Sequence, residues 1–201
     1  MSEIKIDPSR SVLLMIDMER GFVDPEAALC VKGAAATVPM CNKMTMEARK
    51  LGIKIIWVKR EYAEDFSDVE IPRRKFLESL GLQGGVMSPG STGVNSVEEP
   101  VGLVRLPDEH VLIKPRYSAF FNTYLNETLI MQYINTVLIA GTTTPNCIRT
   151  TCYDAISYDF RPIILEQCTS SATDEIQRAN IEDMARVGAE IYYGDTLYDL
   201  V

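Results

Sequence analysis

Three residues of this chain combine reactive chemistry with a position at the end of an apolar run. Asp17 follows SVLLMI (11–16), Lys114 ends HVLIK (110–114), and Cys147 lies just beyond TVLIAG (136–141). Ligands of open parallel sheets bind outside the carboxyl ends of the strands, so these positions are candidates for one site. A carboxylate ending a run buried on both faces costs several kcal/mol unless it is paired, so Asp17 calls for a nearby cation. In GTTTPNC, Thr144 can cap a helix, Pro145 suits its first position and Cys147 falls at the third. There the positive end of the helix dipole would favour the nucleophilic thiolate. Each residue also has a plainer reading: a turn-forming Asp, a Lys laid along the surface, and a Cys packed as a small apolar side chain. The packing role fits Cys152 and Cys168 better than Cys147.

The rest of the composition narrows the chemistry. There is a single histidine, His110, so two-histidine zinc or iron sites cannot be built and a Ser-His-Asp triad would have only that residue to use. His110 opens an apolar run and reads as an edge residue at a strand start. Five cysteines without CxxC spacing argue against a disulfide framework or a zinc ribbon. A formal charge of −8 and a pI near 4.8 disfavour nucleic acid and anionic membranes as partners. No apolar stretch reaches the length of a membrane span and the first residues lack a signal pattern, so a cytoplasmic protein is expected. At 201 residues with 46% apolar content, one domain over 1–201 is the economical arrangement.

The elements that must position these residues alternate along the chain. Short β-branched runs at 11–16, 54–59, 110–114, 136–141, 162–166 and 190–194 predict six strands of a parallel sheet. Helical stretches at 38–51, 122–134, 144–158 and 173–188 predict crossovers packed on both faces. Thr173 before Asp174 and Glu175 is a helix N-cap, and Gly188 closes that helix. The segment 60–109 is irregular, and its stretch GLQGGVMSPGSTG reads as loop because neither phosphate-binding glycine motif is present.

Three ordered motifs, LLMIDMERGFVDP, IKPRYSAFFNTYL and LIAGTTTPNCIRTTCYDA, resemble the cysteine hydrolase branch of the isochorismatase-like superfamily over almost the whole chain. That branch includes nicotinamidases and amidases of ureido and maleamic acids. The resemblance implies a three-layer α/β/α fold with a six-stranded parallel sheet in the Rossmann-like order 3-2-1-4-5-6. It implies a catalytic triad of Asp17, Lys114 and Cys147 and a homo-oligomer acting on a small amide or ureido substrate without cofactor. It further implies a cis peptide between Thr142 and Thr143, which aims the Thr143 N–H, beside that of Cys147, at the substrate carbonyl oxygen.

Two departures from the family pattern stand out. Glu19 occupies a position where Gln is frequent, placing a second carboxylate near Asp17. VKREYAEDFSDVE (58–70) lacks the histidines with which nicotinamidases hold a metal, so no metal site is expected. Pocket candidates are Phe22, Trp57, Arg60, Tyr117, Phe120 and Phe121, with the core as the competing placement for each aromatic, most of all Trp57 and Phe121. Arg60 is a candidate anchor for a substrate carboxylate or ureido oxygen, with solvated surface as its alternative. The competing functions are vinyl ether hydrolysis on the same fold, and a non-catalytic or redox-sensing thiol protein.

Overall fold

A computed structural model describes residues 4–82 and 84–201. Six parallel strands run in the order β3-β2-β1-β4-β5-β6, as the sequence predicts. They are β1 (Ser11–Ile16), β2 (Lys54–Arg60), β3 (His110–Lys114), β4 (Thr136–Thr142), β5 (Arg161–Ser170) and β6 (Glu190–Tyr192). The six residues of β1 are all buried, as are the seven of β4, because both lie at the sheet centre with a helical layer on either face.

Side-chain alternation along β1 divides the core in two. Val12, Leu14 and Ile16 face a cluster built with Leu125, Leu129, Ile148, Cys152, Ile181 and Met184. These come from α4 (Leu125–Met131), the turn before α5, α5 itself (Arg149–Ser157) and α6 (Asp174–Arg186). Leu13 and Met15 face the opposite cluster, which includes Ala34, Cys41, Met44 and Ala48 of α2 (Ala34–Leu51). The short α1 spans Arg20–Val23 and α3 spans Ile71–Ser79. A third cluster, with Phe22, Leu29, Tyr62, Phe66, Leu77 and Met87, packs the 60–97 segment against α1. The segment predicted as irregular therefore has its own small core and, among its described residues, one α-helix and a short 3-10 turn at Gly93–Asn95.

Helix ends follow the expected chemistry at α6. The Thr173 hydroxyl accepts the Ile176 N–H, and Gly188 takes φ of +111° just past the end. Strand order reverses between β1 and β4, which opens a crevice at their carboxyl ends. Gly141 is required there: a Cβ would stand 1.9 Å from the Ile16 carbonyl oxygen of the neighbouring strand, at a φ of +117°. Among the described residues, no helix is long and apolar enough to cross a membrane.

Candidate active site

The three strand-end residues converge at this crevice. Asp17 leaves β1 with φ of +51°, a left-handed conformation that Asp tolerates better than most residues, and its N–H donates to the Val58 carbonyl at 2.8 Å. The backbone thus holds the carboxylate at the strand end instead of letting it follow the sheet. Lys114 Nζ lies 2.9 Å from Asp17 Oδ2 and 3.6 Å from Cys147 Sγ, and also donates to the Arg116 carbonyl at 3.1 Å. Lys114 sits on the edge strand, two strands from β1, and its long side chain crosses that gap beneath the site. The relative exposures of Asp17, Lys114 and Cys147 are 2%, 0% and 7%, so their charges interact with little solvent screening.

Cys147 is positioned differently from the sequence expectation. Thr144–Ile148 forms a π-helical turn that leads into α5, and its N-cap is Thr143, which makes no side-chain capping bond. The Thr144 hydroxyl donates to the Ser170 carbonyl at 2.9 Å, and that of Thr143 to the same oxygen at 3.2 Å. Ser170 Oγ in turn donates to Thr142 Oγ1 at 2.9 Å, so the end of β5 clamps the three threonines. The Thr142–Thr143 peptide is cis.

A low-pKa thiol is not what this environment gives. Burial, followed by the charge and acceptor character of Asp17, pushes the Cys147 thiol up to about 12, outweighing Lys114. The resting site therefore holds a protonated sulfur beside an Asp17–Lys114 ion pair. Burial opposes the charge on Lys114, but its interactions with Asp17 and then Cys147 together outweigh it and raise the ammonium above its ordinary range. Glu19, fully buried, accepts from the Arg60 N–H at 3.0 and 3.1 Å. Burial and then the Asp17 charge push its carboxyl well above the usual range, against Lys59 and the Arg60 amide.

A cavity of about 250 Å³ opens over the three residues. Phe22, Arg60 and Tyr117 line it, together with Thr142, Thr143 and Asn146. The other proposed pocket residues lie elsewhere. Trp57 points into the α2 face of the core, where its indole N–H donates to Glu109 Oε2 at 2.8 Å, because it lies inside β2, short of the strand end, and alternation turns it to that face. Phe120 is buried against Phe160 and Tyr158 in the core on the α4, α5 and α6 face, and Phe121 is half exposed. Arg60 is no surface residue: Nη2 is 2.7 Å from Glu70 Oε2, and the guanidinium lies 4.8 Å above the Tyr62 ring.

The remaining walls come from residues that sequence reasoning did not single out. Leu29, Cys30 and Val31 follow α1, and Tyr62, Arg73, Phe76 and Leu80 belong to the 60–80 segment. Pro72 near a helix start, with Phe76, Leu77 and Leu80 at helical spacing, is the signal that marks α3. Among the described residues, no group of three or more His, Cys, Asp or Glu side chains is arranged to hold a metal ion.

Comparison with known proteins identifies the family to which this fold belongs. Residues 11–194 match the isochorismatase domain. A probable inactive nicotinamidase of Arabidopsis thaliana is 37% identical over 182 residues, covering 90% of each chain. The crystal structure of an isochorismatase family protein from Desulfovibrio vulgaris has a TM-score of 0.82 at 34% identity, covering 90% of this chain and 93% of that one. The N-carbamoylsarcosine amidase of Thermoplasma acidophilum shares the fold, with a TM-score of 0.73 at 23% identity over 90% of this chain and 95% of its own. With the family match spanning the sheet from β1 to β6 and the crevice between β1 and β4, the chain belongs to the isochorismatase family.

Proposed function

We infer that the protein is a cysteine hydrolase that cleaves a C–N amide or ureido bond of a small molecule through a thioester. The carrying observation is the buried contact of Lys114 Nζ with both Asp17 Oδ2 and Cys147 Sγ at the floor of a small cavity. Because the resting thiol is protonated, its proton passes to Asp17 as sulfur attacks the carbonyl carbon. Lys114 stays charged and offsets the negative charge as it moves from carboxylate to sulfur. The N–H groups of Thr143 and Cys147, both cavity residues, serve the oxyanion. Asp17 then protonates the leaving nitrogen, the C–N bond breaks and the acyl thioester remains. Water, deprotonated by Asp17, releases the acid and restores the thiol.

Ammonia release from a panel of small amides, ureido acids and nicotinamide, with Cys147→Ala as blank, tests the reading. Turnover lost in the variant supports it, and turnover retained by Cys147→Ala refutes it. The name of the Arabidopsis relative favours a second reading, a non-catalytic protein on this fold. No ammonia from any panel member, with ligands still bound, is the outcome that reading requires.

A further inference from the structure

Glu19 is a buried ionisable group beside the site that has no part in the chemistry proposed above. Its side chain is 0% exposed, and both carboxyl oxygens face a single donor, the Arg60 N–H, at 3.0 and 3.1 Å. The charged groups acting on it are Asp17 from the β1 exit, Lys59 from β2 and Lys114 from β3. Both lysines are committed elsewhere. Lys59 Nζ lies 2.7 Å from Glu99 Oε1 and 2.6 Å from the Val97 carbonyl oxygen, and Lys114 Nζ lies 2.9 Å from Asp17 Oδ2. The Arg60 guanidinium is held by Glu70, so Glu19 has no cation within ion-pair distance among the described residues. A carboxylate here would be a second buried anion beside Asp17, with one donor and no counter-ion, an arrangement that buried acids avoid by keeping their proton.

The hydrogen bond from Arg60 stands in for a rung of the sheet. The Val58 carbonyl accepts from the Asp17 N–H at 2.8 Å, so the Arg60 N–H, two residues on, points to the same side of β2, where a β1 carbonyl would ordinarily meet it. The left-handed turn at Asp17 carries the backbone away, and the pairing of β1 with β2 ends at Ile16 and Val58. The Glu19 side chain supplies the missing acceptor, while its own carbonyl accepts the Phe22 and Val23 N–H groups at the start of α1. One residue thus ties the β1 exit, which carries Asp17, to the end of β2, where Arg60 is in register with Lys114 of β3. An un-ionised carboxyl can do this as an amide does, with an acceptor oxygen and a donor, so Glu19 differs from the frequent Gln in formula but not in charge.

We propose that Glu19 is a positioning residue, a neutral acid that joins the end of β2 to the β1 exit and so keeps Lys114 against both Asp17 and Cys147. Its effect on turnover rests on the hydrolase reading, but its protonation and its hold on Lys114 can be measured without substrate.

Infrared difference spectra of the parent and Glu19→Gln at about pH 6.5, above the range of ordinary carboxylates, read the protonation directly. The carbonyl band of an un-ionised carboxylic acid should be present in the parent and lost in Glu19→Gln. Reaction of Cys147 with a small disulfide at the same pH, in a Cys30→Ser background, reads the positioning. Glu19→Leu leaves the Arg60 N–H without an acceptor and should react about threefold or more slowly, as a thiol does when a neighbouring ammonium moves away. Glu19→Gln keeps the acceptor without adding charge and should restore the parent rate. No acid band lost in Glu19→Gln, a Glu19→Gln rate more than a few-fold from the parent in either direction, or a folded Glu19→Leu that reacts as fast as the parent would overturn the proposal. The band and the Glu19→Gln rate decide it even if Glu19→Leu does not fold. The predicted results in a protein that releases no ammonia from any amide would establish the positioning while refuting the hydrolase reading.

Discussion

Asp17→Asn separates the two ways in which a buried cysteine can be made nucleophilic. If Asp17 is the base for a protonated thiol, the variant loses the proton acceptor and turnover should fall by about 10²–10⁴. The same change removes the negative charge that helps push Cys147 up to about 12, leaving Lys114 unopposed. Loss of a neighbouring like charge lowers a pKa by about 1–3 units. Each unit multiplies the thiolate fraction by ten and lowers its intrinsic reactivity by about 10^0.4 to 10^0.5, a net gain of about three- to fourfold. Cys147 should therefore react about 3- to 60-fold faster with a small disulfide near pH 8, while catalysis is nearly abolished. The assay follows released thiol by absorbance in a Cys30→Ser background, since Cys30 is the partly exposed thiol of the cavity wall, and Cys147→Ser gives the blank. Slower modification in Asp17→Asn, or turnover within a few-fold of the parent, would refute the general-base assignment.

The remaining predictions concern charge and metal. Lys114→Met leaves the Asp17 carboxylate buried without its cation, and should cost about 3–5 kcal/mol in urea unfolding. Adding Asp17→Asn to Lys114→Met should recover much of that stability without restoring activity, and a double variant as unstable as the single one would contradict the assignment. Glu19 ionises in the unfolded chain near its ordinary 4.5 but holds its proton to a higher pH when folded. Over that window the folded state binds more protons, so stability falls as pH rises. Glu19→Gln should therefore be more stable than the parent by about 1 kcal/mol or more for each unit of displacement once the parent carboxyl has ionised, with the advantage fading toward pH 4 in parallel denaturant titrations. Ammonia release should survive dialysis against a chelator, and recovery only on adding zinc, iron or manganese would reverse that expectation.

The sheet was legible because each strand is a continuous apolar run that has to be buried on both faces, and the alternation with helices leaves few topologies open. Asp17 and Lys114 stood out as charges at the ends of such runs. The state of Cys147 was not legible. Local spacing favours a dipole-activated thiolate, whereas the neighbours of the sulfur are a carboxylate just after β1 and an ammonium from β3, and burial dominates them both. Arg73 escaped notice because α3 is short, mostly exposed and set in a segment rich in charge and turn residues, so its periodicity is weak. Trp57 and Phe120 went to the core by different routes: alternation along β2 turns Trp57 to the α2 face, whereas Phe120 sits in the irregular stretch after β3, where no sequence period says which way a side chain points.

The central claim, covalent catalysis by Cys147 with Asp17 as its proton acceptor, is tested most directly by intact-protein mass spectrometry during turnover of an accepted amide, quenched in acid to preserve a thioester. The account predicts an adduct of the acyl mass, without the leaving amine, on Cys147 alone. That adduct should be absent from Cys147→Ala and strongly reduced in Asp17→Asn. Sustained turnover with no adduct at any quench time, together with activity retained in Cys147→Ala, would contradict the account.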